Sequence, residues 1–158
     1  MEARKGQYTG PLHAVGHPML TVATLSHPGT VRTNNEDSVL WNRDIGLLAV
    51  ADGMGGHNAG EVASQLALQV LNDHLTSTAE ARHIAWLFGY DPAVSVAANR
   101  LLTAVRLANQ EVHRAASERE DYQGMGTTIV AALVEDAHLT FVSVGDSRLY
   151  EMQEGQAR

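Results

Sequence analysis

The chain has no cysteine and little positive charge, and both absences narrow what it can do. Without cysteine it can form no disulfide, thiolate zinc site or cysteine nucleophile. The formal net charge of −7, from 11 Lys and Arg against 18 Asp and Glu, argues against nucleic-acid and anionic-membrane surfaces. No apolar run approaches the roughly 18 residues of a membrane-spanning helix. We therefore expect a cytoplasmic chain that neither binds nucleic acid nor inserts into a membrane.

The composition is typical of one globular domain. A chain of 158 residues with 44% hydrophobic and 18% charged residues is long enough to bury a hydrophobic core. Residues 1–18 are polar and lack the apolar core of a signal peptide. We predict a loose N-terminal leader over residues 1–18 and a folded unit over residues 19–158.

Strands, helices and strands follow one another along the chain. Residues 19–26 and 38–52 are predicted strands, the second broken by a turn near Asn42–Asp44. A helix is predicted from Glu61, with an apolar stripe at Val62, Leu66, Val70 and Leu71. The segments after the helices predict strands at 126–136, 138–146 and 147–152.

Asp91 and Pro92 predict the start of a second helix, with Asp91 as its cap. The apolar stripe that follows consists of Leu101, Val105, Ala108 and Val112. The strand segments Ile45–Ala51 and 138–146 carry apolar residues on both faces, so we expect both to be covered on both sides.

The stretch AVADGMGGHNAG, residues 49–60, has the glycines of a phosphate-binding loop but not its spacing. A P-loop requires lysine after the second glycine, where this chain has Glu61. The dinucleotide fingerprint requires glycine at position 58, where Asn58 stands. Asp52 with the Gly53 carbonyl instead supplies the oxygen ligands that Mg²⁺ and Mn²⁺ prefer. An isolated Asp-Gly is more often a simple turn.

A second acidic pair favours the metal site over the turn. Glu36 and Asp37 begin the strand expected to pair with the strand that ends in Asp52, so three carboxylates can meet at one end of a sheet. Arg32, four residues before Glu36, has the planar fork that binds a phosphoryl group. Taken alone, an arginine at this spacing is more often the partner of Glu36 in a surface ion pair than a phosphate ligand.

Four motifs follow one another along the chain: Arg32-x-x-Asn35-Glu36-Asp37, Asp52-Gly53-Met54-Gly55-Gly56, Gly126-Thr127-Thr128 and Gly145-Asp146-Ser147-Arg148. In this order they resemble the motifs of the metal-dependent protein phosphatases, the protein phosphatase 2C family, in its bacterial branch. The resemblance implies a four-layer α-β-β-α sandwich of mostly antiparallel sheets with two Mn²⁺ or Mg²⁺ ions at one end. It implies a serine/threonine phosphatase that hydrolyses phosphomonoesters with a metal-activated water, acting on phosphoproteins that are targets of a bacterial Ser/Thr kinase.

The resemblance also assigns roles to individual residues. Asp52 matches the aspartate that bridges both ions, and the Gly53 carbonyl, Glu36 and Asp37 match ligands of the metals or their waters. Arg32 matches the arginine that binds the substrate phosphate. Asp146 matches an aspartate that helps bind a further, weaker metal in some members, but it is equally well read as a turn residue. Thr127 and Thr128 are interpreted as structural.

Family members continue beyond the Gly-Asp-Ser-Arg segment with two further acidic motifs, whereas this sequence ends at Arg158. We therefore interpret residues 19–158 as the N-terminal portion of the phosphatase domain, with an incomplete sandwich, an incomplete metal site and weak or absent turnover. Two alternatives stay open: a natural short form that binds a phosphoprotein or another partner without hydrolysis, and a structural module completed by another chain.

Overall fold

One antiparallel sheet and two long helices make up most of the chain that the structure describes. The computed structural model describes residues 4–8, 20–31, 34–56, 59–81, 83–153 and 156–157. The helices are α1, Ala59–Thr78, and α2, Val96–Glu118, and a 3-10 turn, Glu120–Tyr122, follows α2. The strands are β1 Arg4–Tyr8, β2 Asp37–Asn42, β3 Leu47–Met54, β4 Gly126–Thr127, β5 Ile129–Glu135, β6 His138–Val144, β7 Met152–Gln153 and β8 Gln156–Ala157.

The main sheet has the strand order β1-β6-β5-β3-β2, and β4 pairs with the end of β3. All of its pairings are antiparallel. The predicted hairpin of β2 and β3 is confirmed, with its turn closed by Gly46 in a left-handed conformation (φ 65°). A Cβ atom at Gly46 would overlap the carbonyl oxygen of Val134, so glycine is also required there for the close approach of β5.

Side chains alternate between the two faces of the sheet, and only one face is covered by the helices. Leu47, Ala49 and Ala51 of β3 belong to the same buried cluster as the apolar residues of α1 and α2. On the opposite face Val39 and Val50 are 37% and 42% exposed. We expected the strand segment Ile45–Ala51 to be covered on both sides. Within the described chain this expectation is wrong for β3 at Val50.

The helices are amphipathic, and the sequence predicted the buried face of α2 better than that of α1. All four predicted stripe residues of α2 are buried. In α1 the buried face centres on Ala63, Ala67 and Leu71, whereas Val62, Leu66 and Val70 of the predicted stripe lie at its rim. Small residues at the centre allow α1 to pack close to the sheet. No helix in the described ranges is long and apolar enough to cross a membrane.

A buried arginine ties the two helices to the sheet. Arg100 of α2 is 3% exposed, and its guanidinium donates to the carbonyl oxygen of Leu75 at 2.8 Å and to Thr78 Oγ1 at 3.1 Å. It also forms an ion pair with Glu135 of β5 at 2.5 Å. Arg100 thus adds a donor to the Leu75 carbonyl and to the Thr78 hydroxyl in the last turn of α1, where main-chain carbonyl groups lack the amide partners of a continuing helix.

Four predicted elements differ from the structure. Residues 20–26 form no strand, and Met19 lies outside the described residues. Helix α2 begins at Val96 with Ser95 as its cap, not at Asp91-Pro92. The strand predicted at 147–152 is reduced to the short β7 at its end. The leader predicted over residues 1–18 contains β1, which pairs with β6.

The mixed α/β class with an antiparallel sheet is confirmed. The described residues form two layers, the sheet and the pair of helices on one of its faces.

Candidate functional site

Asp37 and Asp52 are direct register partners at the end of the β2–β3 hairpin. Both are exposed, and alternation places both on the face opposite the helices. Directly opposite residues on one face have Cβ atoms roughly 5 Å apart, a spacing at which two carboxylates repel each other. A divalent cation between or beside them offsets this repulsion.

Two consecutive threonines hold the main chain of Asp52. The carbonyl oxygen of Asp52 accepts from the Thr128 amide at 2.9 Å and from Thr127 Oγ1 at 3.0 Å. The amide of Asp52 in turn donates to Thr128 Oγ1 at 3.0 Å. Both polar main-chain groups of Asp52 are therefore fixed by neighbouring residues. The interpretation of Thr127 and Thr128 as structural agrees with these contacts.

A buried serine fixes the main chain of Glu36. The carbonyl oxygen of Glu36 accepts from Ser64 Oγ at 2.7 Å and from the Gly53 amide at 3.1 Å. Ser64 of α1 is fully buried, and its hydroxyl also bonds to Ser38 Oγ at 2.8 Å. This contact joins the beginning of β2 to the first turns of α1, and it was not predicted from the sequence, where a serine in a helix gives no such signal.

Two glycines allow α1 to begin directly beside Glu36. A Cβ atom at Gly53 would overlap the Gly60 carbonyl oxygen and lie 2.7 Å from the Glu36 carbonyl oxygen. A Cβ atom at Gly60 would lie 2.5 Å from Glu36 Oε1. Gly53 and Gly60 thus allow their main-chain segments to lie close together, and they leave room for the Glu36 carboxylate. This places the Glu36 carboxylate at the N-terminus of α1, the end at which a helix favours negative charge.

The turn that carries Asp146 packs on Thr128. Gly145 has a φ of 98°, which other residues rarely adopt. A Cβ atom at Gly145 would lie 2.7 Å from Thr128 Cγ2. On the other side of Asp146, Ser147 Oγ lies 2.7 Å from Thr128 Oγ1, and the Ser147 carbonyl oxygen accepts from Ser143 Oγ at 3.2 Å. Asp146 is exposed between these two contacts.

Four of the predicted metal-site residues line one open cleft of about 1400 Å³: Glu36, Asp52, Gly53 and Asp146. The lining continues along α2 and the turn after it, where it includes His113 and Arg119. Arg119 was not singled out in the sequence. Its guanidinium carbon lies 4.3 Å from the centre of the Tyr122 ring, a cation–π contact.

Most of the predicted metal ligands lie in one cleft, but within the described residues they do not form a compact cluster around one point. Searched over the described residues, the chain contains no group of three Asp, Glu, His or Cys side chains close enough together to hold one ion. Arg32, the predicted phosphate ligand, lies outside the described residues. The donors that are present are carboxylate and carbonyl oxygens, which fit Mg²⁺ or Mn²⁺ by their chemistry. The assignment of individual ligands stays a prediction.

The motifs and this geometry agree with comparisons with known proteins. A family model described as protein phosphatase 2C matches residues 30–158. The chain belongs to the protein phosphatase 2C family. It is 41% identical over 138 residues to the serine/threonine protein phosphatase PstP of Mycobacterium tuberculosis, which covers 87% of this chain and 24% of PstP. It is 37% identical over 132 residues to the serine/threonine phosphatase stp of Listeria monocytogenes, covering 79% of this chain and 47% of that protein.

The fold of the family is also found in solved structures. The catalytic domain of the serine threonine protein phosphatase PstP, in complex with 2 manganese ions, matches with a TM-score of 0.66 at 33% sequence identity. The match covers 98% of this chain and 53% of that domain. The chain thus spans between about a quarter and a half of the length of its protein phosphatase 2C relatives.

Proposed function

We propose that this chain contributes the metal-binding and phosphate-binding half of a metal-dependent protein serine/threonine phosphatase. Its substrates are phosphoserine and phosphothreonine proteins, the targets of a bacterial Ser/Thr kinase in the cytoplasm. Family membership supports the reaction class, and the names of the relatives support the type of substrate. The observation that carries the proposal is the pairing of Asp37 with Asp52, which lines the same cleft as Glu36 and Asp146.

The residues take distinct parts in this proposal. Asp52, Glu36, Asp37 and the Gly53 carbonyl hold divalent cations, and Asp146 contributes to a weaker site. When bound, the cations supply Lewis-acid activation of water and balance the charge on the phosphoryl oxygens. Arg32 binds and orients the phosphoryl group through its planar fork. Thr127, Thr128 and Ser64 hold the main chain of the acidic residues in place.

The decisive experiment measures binding and turnover separately. Mn²⁺ binding is followed by calorimetry, and hydrolysis of p-nitrophenyl phosphate is followed with Mn²⁺ and after chelation. We expect Asp52→Asn to weaken Mn²⁺ binding and to abolish any hydrolysis, whereas Asp44→Asn, at the exposed opposite end of the hairpin, leaves both unchanged. Mn²⁺ binding that survives Asp52→Asn would show that the site is misassigned.

A second candidate function is phosphoprotein binding without hydrolysis. It is favoured by one observation, that no three acidic side chains converge on one point within the described chain. Low turnover of the 158-residue chain is expected under both candidates. They are separated by a phosphopeptide titration: tight binding without Mn²⁺ and without product supports the second candidate, and Mn²⁺-dependent product release supports the first.

A further inference from the structure

Thr128 contacts two segments of the cleft that each carry an acidic residue, the strand with Asp52 and the turn with Asp146. Its hydroxyl oxygen accepts from the Asp52 amide at 3.0 Å and lies 2.7 Å from Ser147 Oγ. Its methyl group faces Gly145, where a Cβ atom would lie only 2.7 Å away. Asp146 is therefore flanked on each side by a residue in contact with Thr128. One side chain joins the strand that carries Asp52 to the turn that carries Asp146.

The sheet register shows why this contact is unusual. Val50 pairs with Val130 and Gly53 pairs with Thr127, so Asp52 and Thr128 stand opposite one another between these pairs. In a regular antiparallel ladder, such a pair exchanges main-chain hydrogen bonds. Here the Thr128 amide donates to the Asp52 carbonyl, but the acceptor for the Asp52 amide is the Thr128 hydroxyl. A side chain thus takes part in the ladder at the residue that carries the metal-site carboxylate.

We propose that Thr128 and Ser147 are positioning residues that set the distance between the Asp52 and Asp146 carboxylates. Because Thr128 Oγ1 accepts from the Asp52 amide, its own hydrogen is available for Ser147 Oγ. A shift of the Asp146 turn then breaks the hydrogen bond between Ser147 Oγ and the Thr128 hydroxyl, the same hydroxyl that accepts from the Asp52 amide. The two carboxylates are coupled through one hydroxyl, and divalent-cation affinity at Asp146 depends on it. The metal part of this inference rests on the proposed function, but the coupling itself does not.

The test removes one hydroxyl at a time in the full chain and follows main-chain amides by nuclear magnetic resonance. Thr128→Val keeps the branched shape and should speed hydrogen exchange of the Asp52 amide by about tenfold, because that amide loses its acceptor. Thr128→Ser retains the hydroxyl and should restore protection. Ser147→Ala should shift the Asp52 amide resonance although Ser147 does not touch Asp52. Thr103→Val, which removes a fully buried hydroxyl inside α2, should change neither.

A titration with Mn²⁺ then tests the consequence for the metal. The paramagnetic ion broadens nearby resonances, and the concentration that half-broadens the Asp146 amide should rise severalfold in Thr128→Val and in Ser147→Ala. The double variant should show no further rise if both hydroxyls act as one link. An Asp52 amide that is unchanged in Ser147→Ala would overturn the inference, whatever the effect of Thr128→Val, because Thr128 contacts that amide directly. Absence of site-specific broadening in the unmodified chain would overturn the proposed metal site, while the exchange data would still decide the coupling.

Discussion

Asp37 and Asp52 lie directly opposite each other in the β2–β3 ladder, and both residues are exposed. Like charges directly opposite one another on an antiparallel pair are destabilising by a few tenths of a kcal/mol to about 1 kcal/mol. An arrangement that costs stability in the free chain is typical of a functional site, because the cost is removed when the site binds its ligand.

The first prediction follows from this repulsion. Asp52→Asn should raise the free energy of unfolding of the metal-free chain by about 0.5 kcal/mol, because it removes one of the two facing charges. In an Asp37→Asn background, Asp52→Asn should bring no such gain, because the repulsion between the two carboxylates is already absent. Urea denaturation in the presence of a chelator measures the free energy of unfolding of each variant. Asp44→Asn in the turn of the same hairpin is the control, and an equal gain in that variant would show that the effect is general net charge rather than the pair.

The second prediction compares three glycines that follow Asp52, two of which lie against Glu36. Gly53→Ala should destabilise the chain by about 1–3 kcal/mol, because the three atoms nearest to the new methyl group are main-chain atoms of Gly60 and Glu36, which cannot move independently. In Gly60→Ala the new methyl group meets the end of the Glu36 side chain first and the Gly53 carbonyl carbon, at 3.0 Å, next, so the carboxylate should move, Mn²⁺ binding should fall, and stability should decrease less than in Gly53→Ala.

Thermal unfolding and Mn²⁺ calorimetry distinguish these outcomes. Gly56→Ala is the matched control, since a Cβ atom there has nothing within 4 Å. If Gly60→Ala leaves Mn²⁺ binding intact, the Glu36 carboxylate takes no part in holding the ion.

Much of the fold could be predicted because the signals were local and repeated. The β2–β3 hairpin, the buried stripe of α2 and the strands β5 and β6 follow from apolar periodicity and turn residues. The segment at 20–26 has similar residues but forms no strand. Strand β1, Arg4–Tyr8, is polar and does pair with β6. Strand formation requires a neighbour with free main-chain groups, and a single sequence does not reveal which segment obtains one.

The boundary of α2 shows how a distant side chain overrides a local signal. Asp91-Pro92 has the composition of a helix start, yet Asn99 of α2 binds back to it. The Asn99 side chain accepts from the Asp91 amide at 2.8 Å and donates to the Asp91 carbonyl at 2.9 Å. These bonds hold Asp91 in the preceding turn, and the helix begins only after Ser95 caps the Ala98 amide at 3.1 Å.

Motifs singled out the acidic residues of the candidate site, but not the contacts that position them. Ser147 stands in a motif without an assigned role and Ser64 gives no signal in the sequence, and only the fold brings them to Thr128 and to Glu36. Motifs report the side chains that act on a ligand, but the hydrogen bonds that position them arise from long-range packing.

The third prediction concerns the buried arginine. Arg100→Met should lower the free energy of unfolding by about 2–3 kcal/mol, because it leaves the Leu75 carbonyl without the arginine's donor and removes the partner of Glu135. Glu135→Gln should cost less, since Glu135 is 40% exposed and the amide oxygen still accepts. Arg114→Met removes an exposed arginine paired with Glu111 and Glu118 and should change stability only slightly. Chemical denaturation ranks the three variants, and a cost for Arg114→Met equal to that for Arg100→Met would contradict the assignment of Arg100 as the link between helices and sheet.

The fourth prediction is a pH dependence that originates at His74. Burial first, and the positive charge of Arg100 second, lower the pKa of His74 below its ordinary value of 6.5. Its Nε2 atom is buried and has no hydrogen-bond partner in the described chain. The unfolded chain therefore takes up a proton at a higher pH than the folded chain does. The part of the free energy of unfolding that depends on His74 should be at its maximum above pH 6.5. It should decrease as the pH falls from there towards the lowered pKa, and it should stay constant below that pKa.

Urea midpoints measured between about pH 8 and about pH 5 test this dependence. His74→Leu should flatten the part of the profile that lies below pH 6.5, because the variant has no group there that must take up a proton on unfolding. His83→Leu, at an exposed position in the connection between the helices, should leave the profile as it is in the unmodified chain. If His74→Leu retains the full loss of stability on acidification, the dependence comes from the carboxylates and the neutral, buried state of His74 makes no contribution.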